Sequence, residues 1–193
     1  MTRDKLITFL RQPGFISAQK AEEIAGRFLE KEIAKGDLFL KAGQLSNEYL
    51  FLDSGYMRAF AIDPEGNEVT TAFYSPNNVV FEVSSFFTRS ASMENIQALS
   101  DCSGWYINFN TLNDLFHGLP EFREFGRNIL VQGFTALKAR TLYMITESAE
   151  ERYLRLLNKN PEVFQQAPLK CIASYLGITD TSLSRIRKEL SKG

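Results

Sequence analysis

The spacing of apolar positions changes along the chain, and each change predicts a different kind of element. In 2–12 and 18–33 apolar residues recur every three or four positions, which predicts two short helices. Ser17 is placed to cap the second, turning Ile24, Phe28 and Leu29 inward. Beyond Ile33 the pattern shortens. Stretches near 38–41, 48–53, 56–62, 68–74, 79–82, 95–99 and 103–109 are rich in Phe, Tyr, Val and Ile and are separated by turn residues. A spacing of roughly 8–12 residues between such stretches indicates an antiparallel β sandwich or barrel. Tyr56, Arg58, Phe60 and Ile62 alternate with Met57, Ala59 and Ala61, as in a half-buried strand. Asp63–Asn67 predicts a hairpin loop around Gly66, and Gly36, Gly43 and Gly55 punctuate other turns.

Helical spacing returns at Thr111. After Pro120 it runs to about Thr146, with Leu130, Phe134, Leu137, Thr141 and Met144 stepping by four and three. Phe122, Phe125 and Ile129 begin the stripe, and Val131, Leu142 and Ile145 widen it. A β layer can cover only part of so wide a face, so the rest is expected to meet a second copy of the same helix. Gly126 and Gly133, seven apart, would permit close helix approach. A core helix serving one chain is the alternative. Ser148 with Glu151 forms a capping-box signature for the next helix, which Pro161 closes.

The final pattern is the most specific. Pro168 suits a helix start, and Ile172, Ala173, Leu176 and Ile178 form an apolar set. Gly177 stands where a tight turn needs positive φ, with the small Ala173 four positions earlier. Thr179 is an N-cap for a second helix, whose buried stripe is Leu183, Ile186 and Leu190. Its other side offers Thr181, Ser182, Ser184, Arg185 and Lys188, the side-chain types that contact bases and phosphates. These features predict a helix-turn-helix. A helical hairpin that only packs is the alternative.

Charge supports DNA as the partner of this segment. Residues 168–193 carry a net +3, from Lys170, Arg185, Arg187, Lys188 and Lys192 against Asp180 and Glu189, while the other 167 residues carry −4. Sixteen Phe imply an aromatic interior. No apolar run approaches the ~20 residues that span a bilayer, and the first residues lack a signal-peptide pattern, so a cytoplasmic protein without a membrane partner is expected. Cys102 and Cys171 form no ligand pattern and are expected to be buried, reduced thiols. His117 is the single histidine, which leaves a metal site of the cupin type short of ligands. With no phosphate loop or metalloprotease motif either, neither a metal nor an enzymatic role is expected.

In their order, and in SAEERYLRLL (Ser148–Leu157) and PLKCIASYLGITDTSLSRIRK (Pro168–Lys188), these elements resemble a Crp/Fnr-type transcription regulator, most closely those of Bacteroidetes. KGDLFLKAGQLSNEYLFLDSGYMRAF is similar to the early strands of that family's β roll. The resemblance implies an α+β chain with a cupin-like β roll of the cyclic-nucleotide-binding type over 1–118, a dimerisation helix over 119–146 and a helix-turn-helix unit over 147–193. It implies a homodimer, a pseudo-palindromic double-stranded DNA site, and RNA polymerase as a further partner. Thr179, Asp180, Thr181, Ser182, Ser184 and Arg185 would lie at or near the DNA, with Lys188 nearer phosphate.

The chain departs from the family's cyclic-nucleotide cassette. Glu82 matches the ribose-binding glutamate, but Phe81 replaces the glycine before it. Arg89, Ser90 and Ala91 reproduce the phosphate-binding triplet three residues early, which leaves Ser92 in the arginine position. A buried phosphate without its guanidinium loses a strong bidentate contact. The expected pocket, drawn from Phe81, Glu82, Val83, Ser84, Arg89, Ser90 and Ser92, therefore holds an unknown small-molecule effector other than cyclic AMP, or none. The family's β wing after the second motif helix is expected to be missing. A β-roll module that senses a ligand or protein without a primary DNA role is the alternative function.

Overall fold

Strict alternation in one strand organises the architecture. In β3 (Glu48–Ser54), Tyr49 and Phe51 point into one hydrophobic core while Leu50 and Leu52 point into another. Both faces of this strand are buried, so its sheet has material on each side. The computed structural model describes residues 2–191, and Lys192 of the basic C-terminal segment lies outside them. Among the described residues, eight antiparallel strands form two four-stranded sheets. One has β1 (Leu29–Ile33), β8 (Cys102–Asn108), β3 and β6 (Asn78–Val80) in that order. The other has β2 (Leu38–Leu40), β7 (Asn95–Ala98), β4 (Met57–Ile62) and β5 (Glu68–Tyr74).

Leu50, Leu52, Met57, Val80, Ile96 and Ala98 fill the space between the sheets. On the outer face of the first sheet lie α1 (Asp4–Arg11), α2 (Ala18–Ala25), α4 (Phe109–Gly118) and the start of α5 (Pro120–Thr146), around Phe28, Phe51, Trp105, Phe122 and Phe125. On the outer face of the second sheet lie α6 (Ala149–Lys159), the short α7 (Val163–Gln166), α8 (Leu169–Leu176) and α9 (Asp180–Leu190). The short α3 (Val83–Thr88) links β6 to β7.

Three expectations are corrected here. The helix expected over 18–33 ends at Ala25, and 29–33 is strand β1, pairing Leu29 with Tyr106 and Ile33 with Cys102. Leu-Glu-Lys-Glu favours helix locally, but hydrogen bonding to β8 overrides that preference, and Leu29 faces outward. β4 keeps its expected parity, yet Arg58 is 5 % exposed because the C-terminal helices cover the face that alternation alone leaves to solvent. Gly126 is spent within its own chain, since a Cβ there would meet the Phe116 ring of α4 at 2.3 Å.

The helix ends follow local chemistry. Ser148 and Glu151 make the reciprocal capping box at α6. Thr179 Oγ1 accepts from the Ser182 N–H at 3.2 Å, and Gly177 has φ +68°. The tightest backbone approach is at Gly104 of β8, where a Cβ would stand 2.3 Å from the Phe51 carbonyl oxygen. Gly104→Ala is expected to destabilise the fold by about 1–3 kcal/mol, the range for forced overpacking. A denaturant midpoint unchanged from wild type would show that β3 and β8 can separate without penalty.

Candidate nucleic-acid interface and effector pocket

α9 carries its apolar residues on one side. Leu183 and Ile186 are buried against α8 and α6, whereas Leu190, expected in the same buried stripe, is exposed because the helix end runs past that core. Thr181, Ser184, Arg185 and Lys188 sit at i, i+3, i+4 and i+7 and are all exposed, so they share one free face. Thr179 and Ser182 are engaged with each other, because Thr179 Oγ1 also donates to Ser182 Oγ at 3.0 Å. Asp180 occupies the first turn, where a carboxylate suits the positive end of the helix dipole. Arg187, exposed three positions beyond Ser184, is a further cation on the helix that sequence reading used only as charge. Its helical offset from Ser184 was the signal available.

α5 presents the second surface. Val131 through Lys138 are exposed without interruption, so two turns in the middle of the helix stand away from their own chain. Phe134 is 69 % and Ile145 76 % exposed. Leu130, Val131 and Phe134 line an open concavity of about 540 Å³ with Phe116, Arg123 and Arg127.

The cassette residues are largely occupied by one another. Glu82 caps α3, its carboxylate accepting from the N–H groups of Ser84 (3.0 Å) and Ser85 (2.6 Å). A ligand phosphate would have to displace Glu82 to use the Ser84 and Ser85 N–H groups, which that cap already engages. Arg89 has φ +55° and donates to the carbonyls of Ser46 and Phe86 (3.2 Å each) and to Asn47 Oδ1 (2.9 Å). Its guanidinium also lies 4.0 Å from the Phe109 ring centroid. Ser92 is buried and closes a small loop, accepting from the Glu94 N–H and donating to the Glu94 carbonyl. Ser90 Oγ pairs with Thr88 Oγ1 at 2.7 Å. Phe81 is buried against Tyr49 and Phe86, whereas Val83 is exposed. The structure therefore gathers Phe81, Glu82, Ser84, Ser85 and Arg89 around α3, with Arg89 turned onto Ser46, Asn47 and Phe109.

Cys102 and Cys171 are buried free thiols. Burial pushes the Cys171 thiol up, with the Arg58 guanidinium pulling the other way. His117 is exposed in the last turn of α4. Among the described residues no group of three His, Cys, Asp or Glu side chains is placed to hold a metal ion, and no helix is long and apolar enough to cross a membrane.

Residues 30–118 match the family of cyclic nucleotide-binding domains. The fumarate and nitrate reduction regulatory protein of Yersinia pestis is 25 % identical over 175 residues, covering 84 % of this chain and 69 % of that one. Among solved structures, FixK2 from Bradyrhizobium japonicum superposes with a TM-score of 0.75 at 15 % identity, covering 86 % of this chain and 85 % of FixK2. A chain from Eubacterium rectale assigned to the crp/fnr family gives 0.73 at 15 % identity, covering 95 % and 88 %. Residues 30–118 thus carry the pattern of a cyclic nucleotide-binding domain, and over most of its length, with α8, the turn at Gly177 and α9 in helix-turn-helix order, the chain is similar to Crp/Fnr-type transcription regulators.

Proposed function

We propose that the protein is a homodimeric, sequence-specific DNA-binding transcription regulator working in the cytoplasm. In this reading 1–118 is the sensor, 119–146 the dimer helix and 147–193 the DNA-reading unit. The observation that carries it is the free face of α9, with Thr181, Ser184, Arg185 and Lys188 aligned and unobstructed. The bare middle of α5 supplies the surface for a second copy. A two-fold pair of recognition helices fits a pseudo-palindrome with half-sites about 10–10.5 bp apart, or a multiple of this. RNA polymerase is the natural further partner of a regulator so bound.

The test is selection of duplexes from a random pool by the full chain at ~50–100 mM salt, where phosphate contacts remain strong. Enrichment of a pseudo-palindrome is expected. Recovery of no common sequence would leave a β-roll sensor with a different output.

The sensor is proposed not to take cyclic AMP. Glu82 capping α3 and Arg89 committed to Ser46, Asn47 and Phe86 support this. Calorimetric titration of the pure protein with cyclic AMP and cyclic GMP is expected to give no binding heat. Micromolar or tighter binding would mean that the cap and the Arg89 contacts open for the ligand.

A further inference from the structure

The end of α8, where the helix-turn-helix turns, is finished by groups from outside the motif. A helix leaves its last four carbonyls without intrahelical partners. In α8 the Ala173 carbonyl accepts from the Ile178 N–H and the Ser174 carbonyl from the Gly177 N–H. The Leu176 carbonyl accepts from Arg152 Nε of α6 at 3.1 Å. The Tyr175 carbonyl accepts from Arg140 Nη2 of α5 at 3.1 Å.

Arg140 does more than cap. Its Nη1 donates to the carbonyl of Thr71 in β5, the edge strand of the second sheet. Its guanidinium lies 3.9 Å from the Tyr175 ring centroid, and that ring packs on Phe73 of β5 at 5.0 Å. One side chain therefore touches the dimer helix, the β roll and the DNA-reading motif. One turn further along α5, Met144 abuts the motif's turn, since a Cβ on Gly177 would stand 2.7 Å from Met144 Cε. α8 lies on the roll along Cys171, Ser174 and Tyr175, one face by spacing. Arg58 donates to Cys171 Sγ at 3.0 Å, and Ser174 Oγ accepts from the Thr70 N–H at 3.1 Å.

We propose that Arg140 is a positioning residue for DNA reading: the joint that holds the helix-turn-helix at one angle to the dimer helix and the roll, so that paired recognition helices meet DNA at a single spacing. The proposal rests on the DNA-reading function above. The two Nη atoms of a planar guanidinium hold two carbonyls on different elements in one fixed geometry, whereas the three donors of a lysine ammonium share a single nitrogen and rotate freely. Burial lowers the pKa of Arg140, with Glu94 beside the pocket loop acting against that. A cation held in such surroundings by carbonyls and a ring is costly to keep and strict in geometry. The core of the motif itself, Tyr153, Leu156, Ile172, Leu176, Leu183 and Ile186, does not depend on it.

The experiment uses the full chain and the duplex enriched from the pool, remade with half-site spacing altered in single base-pair steps. Wild type is expected to lose at least about tenfold in affinity, ~1.4 kcal/mol, for a one- or two-base-pair change. Arg140→Gln and Arg140→Lys are expected to flatten that preference to within about threefold while binding an isolated half-site as wild type does. Amide exchange without DNA is expected to rise about tenfold at 70–73 and 171–176 in both variants, reporting the opened joint. Retained spacing preference, or equal loss on half-site and full site, would overturn the proposal, the second outcome indicating a merely structural residue. If the pool yields no sequence, the DNA-reading function fails and the exchange result alone judges the joint, with unchanged protection overturning it.

Discussion

Arg185→Ala is expected to remove most of the discrimination between the enriched duplex and a scrambled one. Arg185 is exposed on the free face of α9, one turn after Thr181, where a guanidinium can meet a base edge in the major groove. A bidentate arginine contact discriminates by about 1–3 kcal/mol, and a two-fold dimer makes it twice. The expected loss is therefore about 30-fold to 10⁴-fold in specific affinity. Thermal stability should hold, because the packing of α9 rests on Leu183 and Ile186. Lys188→Ala serves as the contrast: a phosphate contact should weaken all duplexes alike and lower the salt dependence. Anisotropy titrations on both duplexes at two salt concentrations separate these cases. Undiminished discrimination by Arg185→Ala would remove Arg185 from base reading.

Phe134→Glu is expected to turn the proposed dimer into a monomer without unfolding it. The ring is 69 % exposed in the single chain, so its own fold owes it little. In a two-fold helix pair it would be buried from both sides, beside Leu130, Val131 and Leu137. Loss of an anchoring aromatic costs about 2 kcal/mol or more per copy, and two copies bring the dimer constant down by roughly 10³-fold. A buried, unpaired carboxylate adds to that. Sedimentation at micromolar concentration, with circular dichroism as the control for folding, reads the result. A variant that remains dimeric would place the interface away from the middle of α5. Operator binding should weaken in step, since each half-site would then be bound alone.

The candidate interface and the candidate effector pocket were legible in the sequence to very different degrees. In α8 and α9 the relevant signals are local. Gly177 takes positive φ because a tight turn demands it, Thr179 caps because a side-chain oxygen three residues before an N–H reaches it, and Leu183 and Ile186 share a face by helical geometry. The cassette is different. Glu82 carries the letter of a ribose ligand, but its oxygens were nearest to the N–H groups of its own helix. Arg89 carries the letter of a phosphate ligand, but a left-handed backbone and the nearby Phe109 turn it onto Ser46 and Asn47, more than forty residues away in sequence. Residue type reports what a group can bind, and only the surrounding surface reports what it has already bound.

The same distinction holds for the whole chain. Sequence alone determined the β parity of Met57 to Ile62, the length of α5, the capping box at Ser148 and the turn at Gly177, because these follow from contacts within a few residues of one another. Tertiary structure decided that Leu29–Ile33 is a strand, that Gly126 packs on Phe116, that Arg58 lies beneath the C-terminal helices, and that Arg140 ties three parts of the molecule together. In those places the stabilising partner lies far away along the chain. Hydrogen bonds and packing formed across that separation outweigh the local preference.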